Sequence, residues 1–455
     1  MTPVEYLQST EQQRLDEFFQ LLRFPSVSAK SEHKSDVAAC AAWLTNHLAA
    51  IGFKAETVPT AGHPIVYAEY LTDPRLPTIL YYGHYDVQPP EPYELWQTPP
   101  FEPQIRDGEI YARGSADDKG QVFAHVKGLE ANIKVTGTLP INVKMIIEGE
   151  EEVHSENLPA FIRKNKARLK ANIVVISDTA QFGPNLPAVT FGLRGIAAVE
   201  VFVYGPNRDV HSGTFGGAIA NPVNILCSLV AKLHDQDRRV TIPGFYQNVR
   251  PIDKWEKAES KKLPYNERAY VRKLGVPALM GEKGFATYER TWSRPTCDVN
   301  GITGGYQGEG TKTIIPSHAS CKITMRLVPN QDPVDICNKI EKYLLRIAPK
   351  AVKVKVVKHG GARAVIVPTE GPWLEAAARA IKAGFGKKPV FMKEGGSIPI
   401  VVDFKQILGL DTLLIGFCQD DDNIHSPNEK FRLVDFERGC RTAAMLPAEL
   451  AAVRS

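Results

Sequence analysis

Residues 77–121 hold the densest potential chemistry in the chain. After Pro77 come four strand formers, Ile79, Leu80, Tyr81 and Tyr82, and the run stops at Gly83. His84 and Asp86 follow at once, and residues two apart on a strand share a face, so the two point the same way. Beyond a proline-rich connection lies a second polar knot, Arg113 to Gly120 (RGSADDKG). An imidazole, a carboxylate and a further carboxylate to steer the imidazole make the donor mixture that a divalent cation takes. His84 alone would read as a loop histidine. With Asp117 and Asp118 behind it, and more acids downstream, metal binding is the better account.

Other strand patterns end the same way. INVKMII (141–147) runs into Glu148-Gly-Glu-Glu-Glu152, ANIVVIS (171–177) into Asp178, and DTLLIGF (411–417) into the polar stretch Gln419–His425. Helical spacing marks 9–23, 35–51, 119–133, 157–170, 373–386 and 432–453. Of these, 119–133 is expected to be amphipathic, starting against Asp117 and Asp118. Strands alternating with helices predict a mixed, mostly parallel sheet flanked by helices, and such sheets take ligands beyond the C-terminal ends of their strands.

From Leu193 the rhythm changes. A strand at IAAVEVFVYG, a helix over 218–234, a long irregular stretch (240–312), then strand, helix and strand to residue 357 predict a small inserted α+β domain. The expected division is 1–192 and 367–455 for one domain and 193–366 for the insert.

Gathered together, the candidate ligands are His84, Asp117, Glu151 or Glu152, Asp178 and His425. Two histidines and three carboxylates are too many for one four-coordinate ion; they suit two metals sharing a carboxylate and a water. GHYDVQP, RGSADDKG, EGEEE, DVHSG, EGGSIP and the late His425 then resemble, in one consistent order, the motifs of the di-zinc peptidases that include carnosinase, cytosolic non-specific dipeptidase, carboxypeptidase G and acetylornithine deacetylase. The similarity runs over nearly the whole chain, and DVQPP, FGLRG, RLVP and HGG are similar to the dipeptidase branch.

The resemblance implies a zinc-peptidase-like α/β catalytic domain with an inserted lid and dimerisation domain, and two zinc ions (Zn2+) per chain, with Mn2+ or Co2+ as alternatives. It implies that Asp117 bridges the metals, that His84 and Asp178 complete one site and Glu152 and His425 the other, that Glu151 is the general base, and that Asp86 fixes the tautomer of His84. It further implies a cis peptide at Asp117–Asp118. His211 is implied to hold the developing oxyanion from a partner subunit, and Arg326 to bind the substrate's C-terminal carboxylate. Thr313, His359, Gly396 and Ser397 are further implied substrate contacts, with Gly395 and Gly396 admitting close backbone approach. The acid at 150 is expected to add negative charge beside the base. His125 is expected to be a satisfied structural histidine.

The implied activity is hydrolysis of short peptides with a free C-terminus. The alternatives are an N-acyl-amino-acid deacylase and a non-catalytic binding relative, the latter disfavoured because the ligand set and base are intact. At 455 residues the chain can bury a large core, and its net charge of +4 is too small to point to nucleic acid. Seven scattered cysteines without a CxxC pair read as free thiols in a reducing compartment. With a polar N-terminus and no apolar span, the expectation is a cytoplasmic homodimer without membrane or nucleic-acid partners.

Overall fold

The computed structural model describes residues 1–453. In chain order the elements that matter here are helices α1 (Glu11–Leu22) and α2 (Lys34–Ala50), strands β1 (Lys54–Val58), β2 (Ile65–Tyr70) and β3 (Thr78–His84), helix α3 (Lys119–Thr136), and strands β4 (Asn142–Glu148), β5 (Ile173–Ile176) and β6 (Ala188–Leu193). Strands β7 (Gly195–Tyr204), β8 (Asp298–Gly304) and β9 (His318–Leu327), helix α4 (Pro333–Ile347) and strand β10 (Lys353–Ala362) follow. Helix α5 (Pro372–Phe385), strand β11 (Thr412–Ile415) and helix α6 (Leu433–Ala451) complete the set.

The chain divides into two compact units. The first comprises 1–191, 367–392 and the chain from 400 onward; the second comprises 192–366 together with 393–399. The segment around Gly395–Ser397 thus belongs to the second unit, although its neighbours in sequence belong to the first.

In the first unit the strand order is β1-β2-β4-β3-β5-β11-β6. The centre is parallel, with β4, β3, β5 and β11 running together, and antiparallel pairs close both flanks. Apart from Thr78 at the start of β3, these central strands are buried along their whole length, as Val/Ile-rich runs in a parallel sheet must be. Register aligns their C-terminal ends: His84 pairs with Glu148 and Tyr82 with Ile176. The loops that leave them therefore emerge on one edge.

Helix α3 is buried nearly all round as far as Asn132, not amphipathic as its sequence suggests. It packs against β3 and against α1 and α6, and polar side chains on the buried turns are paired. Lys119 Nζ donates to the carbonyls of Phe24 (2.7 Å) and Leu21 (3.3 Å), and Lys127 donates to Glu17 at 2.5 Å and to Glu130. The α3–α6 crossing is close because Gly128 has no side chain; a Cβ there would sit 2.5 Å from the Ala443 backbone.

The second unit carries a four-stranded antiparallel sheet in the order β8-β9-β7-β10, with α4 and the helix Pro222–Ala231 packed on it. The stretch 240–312 is not irregular throughout. It contains helices Lys254–Lys262, Glu267–Leu274 and Thr287–Trp292 and the edge strand β8. The first two start at side-chain caps, Asp253 accepting from Glu256 N–H and Asn266 from Ala269 N–H. Among the described residues no helix is long and apolar enough to cross a membrane, and all seven cysteines are free thiols.

Candidate metal centre

The loops at the C-terminal edge of the first unit's sheet bring seven sequence-predicted residues together: His84, Asp86, Asp117, Glu151, Glu152, Asp178 and His425. His84 is the last residue of β3, and Asp118, just after Asp117, occupies the N-cap position of α3 without a side-chain capping bond. Glu151 and Glu152 open a short turn three residues beyond β4, and Asp178 lies two residues beyond β5. His425, in the loop after β11, has a left-handed backbone (φ 62°). The Asp117–Asp118 peptide is cis.

The ligand atoms of His84, Asp117 and Asp178 all lie within 4.8 Å of one another, and so do those of Asp117, Glu152 and His425. Asp117 belongs to both groups, and its two oxygens are divided between them. Oδ1 is 3.1 Å from His84 Nε2, and Oδ2 is 2.8 Å from His425 Nε2. His425 Nε2 also lies 3.3 Å from Glu152 Oε1. Two nitrogen–oxygen triads joined through one carboxylate are a donor set that fits a pair of divalent cations.

Asp86 braces two parts of this arrangement at once. Its main-chain oxygen is 3.1 Å and its Oδ1 3.4 Å from His84 Nδ1, so the backbone makes the shorter contact. Its carboxylate also accepts from the N–H groups of Glu151 (3.2 Å) and Glu152 (3.1 Å). One buried aspartate thus orients the imidazole and the glutamate turn together.

The other two glutamates of the run are engaged elsewhere. Tyr82 and Ser155 donate to Glu148 at 2.6 and 2.8 Å, and the His63 N–H (2.8 Å) and Asn157 (2.8 and 3.0 Å) donate to Glu150. Glu150 belongs to neither ligand group; its donors are neutral and hold the carboxylate in place without cancelling its charge.

Electrostatics follows from burial and this geometry. Burial, opposed by His84 and reinforced by Glu152, Asp117 and Asp86, pushes the Glu151 carboxyl up to about 7. Burial also raises Asp178, with Asp118 and Asp117 adding to the effect. Burial would raise Asp117 as well, but hydrogen bonds from His425 and His84 outweigh it and hold the group below the usual carboxylate range. His425 is pushed up to about 10, chiefly by its hydrogen bond to Asp117.

Two residues of this region were not singled out from sequence. Glu429, fully buried, accepts from Arg113 Nη1 at 2.7 Å and from the N–H groups of Gly114, Ala116 and Asp117 at 3.0, 3.0 and 3.1 Å. It grips the whole loop that presents Asp117. Its only sequence signal is its place four residues after His425. The other is Arg113, the opening residue of RGSADDKG, which supplies the buried cation that Glu429 needs.

A third group, Glu17, His47 and Glu130, also gathers potential ligand atoms. There the Lys127 ammonium already bonds both carboxylates and takes the place of a cation. His125 is buried with Nε2 2.6 Å from Ser177 Oγ, while its Nδ1 has no hydrogen-bond partner among the described residues, so the expected satisfaction is only partial; burial pushes it down to about 3.

The remaining predicted residues lie in the second unit. His211 is exposed in a two-residue strand paired with Ile314–Ile315, and the Thr313 carbonyl accepts from the adjacent Ser212 N–H (3.0 Å). Arg326, on β9, donates to Ser397 Oγ at 3.2 Å, and Ser397 Oγ donates to the Arg194 carbonyl at 2.5 Å. His359 is exposed on β10, 3.9 Å from Glu200, and the structure brings it to neither pair. Gly396 faces open space, whereas a Cβ at Gly395 would meet Arg194 Nη2 at 2.8 Å.

Comparison with known proteins places this geometry. The model of Peptidase family M20/M25/M40 matches residues 80–449. The chain is 31% identical to the Cys-Gly metallodipeptidase of Schizosaccharomyces pombe over 94% of both chains. It is 32% identical to human Beta-Ala-His dipeptidase, covering 85% of this chain and 78% of that one. Among solved structures, an M20 family metallo-carboxypeptidase from Sulfolobus solfataricus superposes with a TM-score of 0.87 at 31% identity, over 97% of this chain and 99% of that one. The family match over most of the chain, together with two metal-type triads sharing Asp117, identifies it as a member of peptidase family M20/M25/M40 and a peptide hydrolase.

Proposed function

We propose that the chain hydrolyses the peptide bond of dipeptides and other short peptides with a free C-terminal carboxylate, with two zinc ions per chain. The observation that carries this reading is the division of the two Asp117 oxygens between His84 and His425. The similar proteins from fission yeast and human are dipeptidases, which supports it.

His84, Asp117 and Asp178 would hold one metal, and Asp117, Glu152 and His425 the other. When bound, such metals acidify a water and polarise the scissile carbonyl. Glu151, whose carboxyl is pushed up to about 7, takes the proton of the attacking water and passes it to the leaving amine. Asp86 keeps the glutamate turn and the His84 ring in register during that transfer. His211 donates to the carbonyl oxygen as charge develops, and Arg326 holds the C-terminal carboxylate with Ser397 at its side.

The second unit serves in this reading as a lid and dimerisation domain, and the protein acts as a homodimer in which His211 serves the partner's centre. The exposure of His211, Phe215 and Ile219 in one short stretch supports an interface there. Seven free thiols support a reducing, cytoplasmic setting.

The test is a substrate panel on zinc-reconstituted protein, with dipeptides set against N-acetyl amino acids. Chelator-sensitive cleavage of dipeptides, with N-acetyl amino acids poor, is the expected result. Preference for N-acetyl amino acids would make the chain a deacylase, and no cleavage of either would overturn the catalytic reading.

A further inference from the structure

The second unit contains a cavity of about 620 Å³ beside Arg326. Its wall carries five guanidinium groups, those of Arg194, Arg238, Arg290, Arg294 and Arg326, against the two carboxylates of Glu282 and Asp298. Glu282 is already consumed, because Arg294 grips it with two hydrogen bonds of 2.7 Å each. Asp298 is then the one acid of the wall left to balance four guanidiniums. The Arg290 Nε donates to a main-chain oxygen, that of Glu282, which satisfies a donor without neutralising the charge.

Arg194 is the unusual member. It is half-buried, its Nε reaches only the Gly395 carbonyl at 3.4 Å, and its main-chain oxygen accepts from the same Ser397 hydroxyl that Arg326 Nη1 touches. Burial, with the positive charge of Arg326 adding and the Asp298 carboxylate opposing, pushes it down to about 10. Arg194 and Arg326 are both partly withdrawn from water and share the one carboxylate of Asp298, so the pair calls for further anionic charge between or beside it. An Arg fork matches a carboxylate bidentately, and a cavity of this volume has room for more than one such group.

We propose that this cavity receives the side chain of the substrate's C-terminal residue and selects an acidic one, with Arg194 binding the side-chain carboxylate while Arg326 binds the α-carboxylate. The inference rests on the reading of Arg326 as the α-carboxylate anchor. It adds the substrate class: dipeptides ending in aspartate or glutamate. The excess of cations on the wall accounts for the choice, because a neutral side chain would leave Arg194 half-buried without an ion pair, whereas a carboxylate supplies one.

The experiment compares Gly-Glu with its neutral isostere Gly-Gln on the zinc-loaded protein, in wild type, Arg194→Met, Arg194→Lys and Arg326→Met. Wild type is expected to prefer Gly-Glu in kcat/KM by about tenfold or more. The preference should collapse in Arg194→Met and return in part in Arg194→Lys, and free glutamate should inhibit wild type better than free glutamine. Arg326→Met should weaken both substrates and leave the preference in place. A wild-type ratio near one overturns the proposal without any variant, as does a preference that survives Arg194→Met. If dipeptides and their C-terminal amides are lost equally in Arg326→Met, the α-carboxylate reading fails instead, and the two failures are told apart.

Discussion

Arg113 and Glu429 are 316 positions apart in sequence, yet Nη1 of one donates to Oε2 of the other at 2.7 Å with both side chains buried. The remaining Glu429 oxygen accepts from the N–H groups of Ala116 and Asp117. The loop before α6 therefore fixes the loop before α3, and the position of Asp117 depends on a residue that is not itself a ligand candidate.

Replacing Glu429 with glutamine should expose that dependence. The amide cannot accept at both ends, and Arg113 would be left as a buried charge without its partner. Breaking a buried pair in this way costs about 3–5 kcal/mol. Chemical denaturation should show a loss of that order, and isothermal titration should show weaker metal uptake. Wild-type stability with full metal affinity would remove Glu429 from the positioning role.

Adjacent glutamates should behave differently. Glu151→Gln is expected to keep both metals and lose turnover by about a hundredfold or more, the usual contribution of a general base. Glu152→Gln, by contrast, should lose metal at one site, because Glu152 is the member of the triad with His425. Metal analysis beside steady-state kinetics reads both, and the reverse pattern would move the assignment by one residue.

Glu148 provides a pH signature outside the metal triads. Burial pushes its carboxyl up from about 4.5 to about 8, despite hydrogen bonds from Tyr82 and Ser155. The folded state therefore binds a proton more tightly than the unfolded chain. Its stabilising contribution is fully present below pH 4.5 and is lost progressively as pH rises through about 8. Wild type should lose denaturation midpoint between pH 5 and pH 8.5, and Glu148→Gln should flatten that fall. Identical pH profiles for the two proteins would mean that Glu148 is ionised in the fold.

If His211 serves the partner's centre, two inactive proteins should rescue each other. Glu151→Gln and His211→Ala chains, mixed and allowed to exchange subunits, would form a hybrid dimer with one intact centre. Recovery of up to about a quarter of wild-type activity is the expected result for random pairing, since half the dimers are hybrids with one working site. No recovery after exchange, verified by mass, would confine His211 to its own chain or remove it from the reaction.

Much of this arrangement is legible in sequence because short apolar runs end abruptly in polar residues. His84 after ILYYG and Asp178 after IVVIS are visible from residue type alone, and parallel register then carries them to one edge. The glutamate run is harder. Four similar acids look alike until Tyr82, Ser155, His63 and Asn157 are seen to occupy two of them, and Tyr82 and His63 lie 66 and 87 positions from the acids they bond. Glu429 is hidden for the same reason: its four donors lie more than three hundred positions away. The helices within 240–312 escape notice because they are short and charged, with few apolar positions to set a period, although Asp253 and Asn266 mark their starts.

The central claim is that one carboxylate, Asp117, joins two metal sites, and metal stoichiometry tests it most directly. Wild type reconstituted with zinc and freed of excess should bind two equivalents per chain; His84→Ala should lose one, and Asp117→Ala should lose both together with all hydrolysis. One equivalent in wild type, or an Asp117→Ala protein that is folded and still holds two, would contradict it.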